Sequence, residues 1–127
     1  MDSSLNNAIK IEDLKSYVDE NLDLFSKVLN SLEAVAGEAK SYLVEKTTKD
    51  GRIDNALLEK YQYEGHGFAW FETYRISLRE TLNWYKSLKD ANKSSQLESG
   101  ILIFAFSEYL TQMRYGIMMS QTEVVRP

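Results

Sequence analysis

An all-α fold follows from three observations. Apolar residues recur at steps of three and four over long stretches, the signature of helices with one buried stripe. Six glycines and one proline leave little material for the turns of a β-rich fold. Two short polar segments, finally, divide the chain into three periodic patterns. Short connections between long helices imply antiparallel neighbours. The expected architecture is therefore an up-down bundle of three long antiparallel helices, over about 11–46, 54–89 and 95–118, with room for a short helix before them. At 127 residues the chain suits one helical domain, 1–127.

The first helix rests on Ile11, Leu14, Val18, Leu22, Phe25, Leu29, Leu32, Ala36, Ala39 and Leu43. Two successive steps of four around Val18 and Leu22 mark a place for a bend or break, beside Asp19-Glu20-Asn21. Leu5 to Ile9 can form a short preceding turn. The segment Thr47–Arg52 is the clearest turn, because Asp50-Gly51 supplies a left-handed position. Asp54 is the natural N-cap of the second helix, whose stripe runs through Leu58, Tyr61, Gly65, Phe68, Glu72, Arg75, Leu78 or Arg79, Leu82 and Tyr85. Asp90–Ser95 makes the second connection, and Ser94 or Ser95 caps the third helix. Ile101–Phe106 is apolar at every position, which predicts a helix buried nearly all round. Three helices cannot enclose it, so a fourth element is expected: the N-terminal segment, another subunit or a further domain.

Composition excludes several functions. A net charge of −4 lacks the clustered Lys and Arg that a phosphate backbone requires, so nucleic acid is not an expected partner. Without cysteine there is no disulfide and no thiolate site, which suits the cytoplasm. The start Met1-Asp2-Ser3-Ser4-Leu5 lacks the basic and apolar regions of a signal peptide. Ile101–Met119 contains Glu108, Gln112 and Arg114, whose burial in a bilayer would be costly, so no membrane association is expected. Phosphate loops, nucleophile elbows and zinc-protease motifs are all missing.

Two constellations remain. Gly65-His66-Gly67 with Trp70 can line a pocket for a small hydrophobic ligand, yet the single histidine has no Glu-x-x-His partner, and packing or hydrogen bonding is its expected role rather than metal binding. Glu72, Arg75, Arg79 and Glu108 form the second. Glu108 shares a face with Phe104 on the most apolar helix, and a buried carboxylate needs a cationic partner. Arg75 or Arg79 is the expected one, as a structural pair. No catalytic, cofactor-binding or metal-ligating residue emerges.

Three segments taken together carry a family resemblance: GRIDNALLEKYQYEGHGFAWFETY (51–74), SEYLTQM (107–113) and GIMMSQTEVVRP (116–127). In this order and spacing, across residues 50 to 127, they resemble the N-terminal helical extension of acyl-CoA dehydrogenase-like flavoproteins of the methylsuccinyl-CoA dehydrogenase type. Thr122 stands where that exit motif has glycine. The resemblance implies an accessory structural or assembly domain, not catalytic alone, with residues 119–127 as an exit segment or linker toward a dehydrogenase domain. It implies no cofactor in this chain, with FAD only in the dehydrogenase domain. The implied partners are that domain or, for a free-standing module, a second copy.

Overall fold

The structure, a computed structural model of the chain, describes residues 10–120 and 122–127. Among these residues the chain is mostly helical, with five α-helices and two antiparallel hairpins of two-residue strands. A 3₁₀ turn, Ile11–Asp13, leads into α1 (Leu14–Glu20) and α2 (Leu22–Thr47). Strands β1 (Thr48–Lys49) and β2 (Arg52–Ile53) connect α2 to α3 (Asn55–Lys60) and α4 (Gln62–Asp90). After α5 (Gln96–Tyr115), β3 (Ile117–Met118) pairs with β4 (Val124–Val125). The turn expected over Leu5–Ile9 lies outside the described residues.

The first long pattern is two helices rather than one. Asn21 leaves the helical region at φ −112°, ψ 15°, and its side-chain Nδ2 donates to Tyr17 O at 2.8 Å. This is where the two successive steps of four fall. Released from α2, α1 lies across the start of α5: Lys15 N–H donates to Gln96 Oε1 at 2.7 Å, and Gln96 Nε2 donates to Glu12 O. α1 thus covers one side of α5, the part expected of a fourth element.

The polar turn folds as a hairpin. Asp50 and Gly51 have φ of 52° and 74°, the pair of positive values that a type I′ turn requires, and Thr48 faces Ile53 in register. Asp54 caps as expected, accepting from Leu57 N–H at 3.0 Å. The helix expected over 54–89 is nonetheless divided at Tyr61, where φ is −104° and ψ 24°. Hydrogen bonding continues through the division, from Tyr61 N–H to Leu57 O and from Gly65 N–H to Tyr61 O, both 3.0 Å. The chain changes direction there without a gap, and no glycine or proline announces it. Ser95 starts α5 with a full capping box: its hydroxyl accepts from Leu97 N–H, and the Glu98 carboxylate accepts from Ser95 N–H at 2.8 Å.

The third helix ends at Tyr115, three residues before its expected limit of 118. Gly116 sets the stop at φ 137°, a conformation that disfavours any side chain, and a Cβ there would lie 2.5 Å from Val124 Cγ1. Residues 119–127, read from sequence as an exit or linker, therefore turn back in part. Ile117 pairs with Val125 and Met118 with Val124, and Met119 N–H donates to Glu123 O at 2.9 Å. Gln121 lies outside the described residues.

Cross-helix contacts give the directions. Ser26 meets Lys86, Glu33 meets Arg75, and Ala36 packs with Phe71, so α2 and α4 run antiparallel. Tyr85 meets Ser99 while Tyr74 meets Gln112, so α4 and α5 do too. Two apolar cores result. One, at the α1 end, joins Val18, Phe25, Leu78, Leu82, Leu102 and Phe106, with the Phe25 and Phe106 rings edge to face at 4.8 Å. The other, at the exit end, joins Ala36, Phe71, Met113 and Ile117, with Val125 against them. Each fully buried leucine contributes about 1.5–3 kcal/mol relative to exposure.

Candidate functional site: two apolar surfaces

The residues singled out from sequence do not form one site. His66 is exposed and accepts a hydrogen bond through Nε2 from Trp70 Nε1 at 3.0 Å, one turn along α4. Trp70 in turn meets Tyr74 edge to face at 6.1 Å, and Tyr74 stacks on Tyr109 at 4.4 Å. Burial, with Tyr109 and Glu108 nearby, raises the Tyr74 phenol above its ordinary pKa. Gly65 has open space where a Cβ would stand, so close packing does not explain it. Gly67 is different: a Cβ there would fall 2.7 Å from Val125 Cγ2.

The expected Glu108–arginine pair does not exist. Glu108 is exposed and accepts from Gln112 Nε2 at 2.8 Å. Arg75 is buried and grips Glu72 through two parallel bonds, Nε to Oε1 at 2.6 Å and Nη2 to Oε2 at 2.9 Å, with Glu33 of α2 at 3.8 Å. The Arg75 hydrogen bonds hold the Glu72 carboxyl below its ordinary pKa. Arg79 meets its neighbour Glu80 at 3.5 Å on the surface. The expectation failed because α5 is not buried all round: the face that carries Glu108 also carries Phe104, which is 71% exposed.

A second polar group, at the α1 end, was not anticipated. The fully buried Tyr85 hydrogen-bonds through its hydroxyl with both Asp19 Oδ1 and Ser99 Oγ at 3.0 Å. Asp19 also receives Lys15 Nζ at 2.6 Å and Lys89 Nζ at 3.3 Å. Burial pushes the Asp19 pKa up, but the hydrogen bonds from Lys15, Tyr85 and Lys89 outweigh it, and the net shift is downward. These groups satisfy one another and lock α1 to α4 and α5. Among the described residues no three His, Asp or Glu side chains are arranged to hold a metal ion.

Two of the openings on the described surface are apolar. A cleft of about 520 Å³ lies at the exit end between α2 and α4, with the C-terminal residues as its third wall. Val35, Tyr42, Tyr63, Phe68 and Phe71 line it together with Val125 and Pro127, and Glu38, Glu64 and Arg126 also border it. Gly67 lines this cleft; Gly65, His66 and Trp70 do not. The third wall is fixed in place by Tyr63 Oη donating to Val124 O at 2.6 Å and Arg126 Nε donating to Tyr115 O at 3.2 Å. A shallower groove of about 580 Å³ crosses the start of α5, bordered by Ile11, Leu14, Leu97, Gly100, Ile101 and Phe104. The groove was not anticipated from sequence, whereas the cleft takes in Gly67 and Phe68 of the segment where a pocket was expected. For the groove, the signal was the 97, 101, 104 spacing inside an apolar run, where nothing marks which side faces water.

The cleft presents apolar walls and one arginine, not the several converging N–H donors or cations that a pyrophosphate needs. No described helix is long and apolar enough to cross a membrane.

No family model matches the chain. It is 41% identical over 105 residues to the (2S)-methylsuccinyl-CoA dehydrogenase of Cereibacter sphaeroides, a stretch that covers 83% of this chain and 19% of the relative. The chain thus spans about a fifth of the length of the curated relative it matches, and it is related by sequence to a part of that dehydrogenase.

Proposed function

We propose that this chain is a helical accessory domain of an acyl-CoA dehydrogenase-like flavoprotein, which packs on the dehydrogenase domain and supplies no catalytic group itself. The observation that carries the reading is the coverage: most of this chain aligns with a small part of a dehydrogenase. The type of extension is the N-terminal helical one, as the segments 51–74, 107–113 and 116–127 suggest. On this reading FAD and acyl-CoA are held by the dehydrogenase domain, in the cytoplasm. The exit cleft supports the reading physically. Its apolar walls, including Tyr42, Tyr63 and Phe68, are the kind of surface that a neighbouring domain covers.

Co-expression with the dehydrogenase domain of a methylsuccinyl-CoA dehydrogenase such as the relative tests the proposal. The expected result is one joint peak on size exclusion, with acyl-CoA oxidation present in the dehydrogenase domain and absent from the chain alone. Tyr42→Asp in the cleft is expected to weaken the joint peak. Separate elution, or acyl-CoA oxidation by the chain alone, would overturn the reading. The cleft favours one second reading, capture of a small hydrophobic ligand beside Gly67 and Phe68. Saturable displacement of an environment-sensitive dye by medium-chain alkanes or alcohols, abolished by Gly67→Leu, would favour it.

A further inference from the structure

The exit cleft has apolar walls and a charged rim. Tyr42, Phe68, Phe71 and Val125 face its interior, while Glu38 of α2 and Glu64 of α4 border it from two different helices. Both of these residues are exposed. The local sequence gives Glu38 no cation: the residues three and four positions away are Ala34, Val35, Ser41 and Tyr42. Lys60, four residues before Glu64, lies over the Tyr61 ring at 5.4 Å, and among the described residues it makes no ion pair. Lys46 lies over the Tyr42 ring at 5.6 Å and pairs with Glu45 at 3.2 Å, whereas Lys40 stands beside the Arg75–Glu72 pair. Arg126 is the one cation among the described lining residues, and its Nε is turned to Tyr115 O. Within the described residues, then, the two rim carboxylates are answered by no positive charge.

We propose that the face covering this cleft is an apolar projection of the dehydrogenase domain flanked by lysine or arginine side chains, which pair with Glu38 and Glu64. The inference rests on the dehydrogenase partnership proposed above and names the chemistry of the partner's face. Covering the cleft takes its rim out of water. A wholly apolar face, or an acidic one, would strip both carboxylates of hydration and return no charge, whereas a basic flank returns a charge-assisted hydrogen bond to each. The wider field agrees. Residues 1–64, which supply α2, Tyr63 and Glu64, carry five more acids than bases, so the potential on this side draws a basic surface toward the cleft. Arg126 adds an orientation: the partner's cations belong over α2 and α4, and its uncharged or acidic edge belongs over the C-terminal wall.

Sedimentation of the co-expressed complex between the chain and the relative's dehydrogenase domain, over a range of salt, tests the inference. The dissociation constant is expected to rise about tenfold between about 50 and about 500 mM sodium chloride, as salt screens the rim pairs. The double variant Glu38→Lys/Glu64→Lys, checked for unchanged circular dichroism, should raise it by at least about tenfold at low salt and remove most of the salt dependence. Asp90→Lys/Glu108→Lys makes the same change in net charge at exposed positions outside the cleft, and is expected to shift it less than about threefold. A complex indifferent to salt and to the reversed rim, or tightened by that reversal, would overturn this inference and leave the dehydrogenase partnership standing. Equal weakening by the two double variants would overturn it as well, since net charge and not the rim would then be responsible. Absence of a complex at every salt concentration would remove both readings together.

Discussion

The α1 end and the exit end of this molecule are closed by different chemistry. At the α1 end, Asp19 gathers Lys15, Lys89 and the buried Tyr85 hydroxyl, which also bonds Ser99 of α5, so three helices meet through directed polar bonds over an apolar core. At the exit end, Val125 is laid against Gly67 and beside Ile117, and the polar contacts of the hairpin go mainly to backbone oxygens. One closure depends on which side chains are charged. The other depends on a side chain that is missing. The first is therefore sensitive to pH and the second to volume, and each can be disturbed without the other.

The largest expected effect separates the cores. Leu102→Ala, in the α1-end core, should cost about 2–5 kcal/mol in urea unfolding, and Val125→Ala distinctly less because Val125 is only half-buried. Equal losses would break the comparison. Gly67→Val comes next: its side chain meets Val125, and overpacking of this kind costs about 1–3 kcal/mol. Protease cleavage between 116 and 127 should rise in this variant while amide protection in α1 holds. Tyr85→Phe should cost about 1–2 kcal/mol by calorimetry, the scale of a hydrogen bond lost at a half-buried, ionised partner.

Acid should act on the α1-end closure and, separately, on the Arg75–Glu72 pair. The folded chain holds Asp19 and Glu72 below their ordinary pKa, so the unfolded chain takes up those protons first as the pH falls. Their contribution is full above the ordinary carboxylate range and is lost below about pH 4. Asp19→Asn should accordingly lower the melting temperature at pH 7 and much less at pH 3; an equal loss at both would contradict the assignment. Smallest of all is Glu108→Gln, expected within about 0.5 kcal/mol of wild type, since the carboxylate is exposed and without an arginine.

Much of the helical layout was legible in the sequence, because periodicity and capping are local. Asp54 and Ser95 cap as their positions imply, and the doubled step of four near Val18 and Leu22 marks the break at Asn21. The division at Tyr61 was hidden, since its hydrogen bonds pass through unbroken. The end of α5 at Gly116 was missed because it answers to Val124, eight residues on. Facing was hardest. An all-apolar run such as Ile101–Phe106 carries no moment to say which side meets water, so the exposure of Phe104, and with it the fate of Glu108, was decided by packing alone. The ion pair that Arg75 makes, with Glu72, has the three-residue spacing on one helix that local geometry favours.

The bond from Lys15 N–H to Gln96 has a kinetic meaning as well. Its partners are 81 positions apart, whereas α4 packs against α2 and α5, the long helices before and after it in the chain. Search is quick for the near neighbours and slow for the distant pair, because a longer loop must lose more freedom before any contact rewards it. The antiparallel helices should therefore assemble first and α1 should swing on last. A substitution at Gln96 is then expected to speed unfolding while leaving the refolding rate nearly unchanged, the behaviour of a contact made after the barrier is crossed.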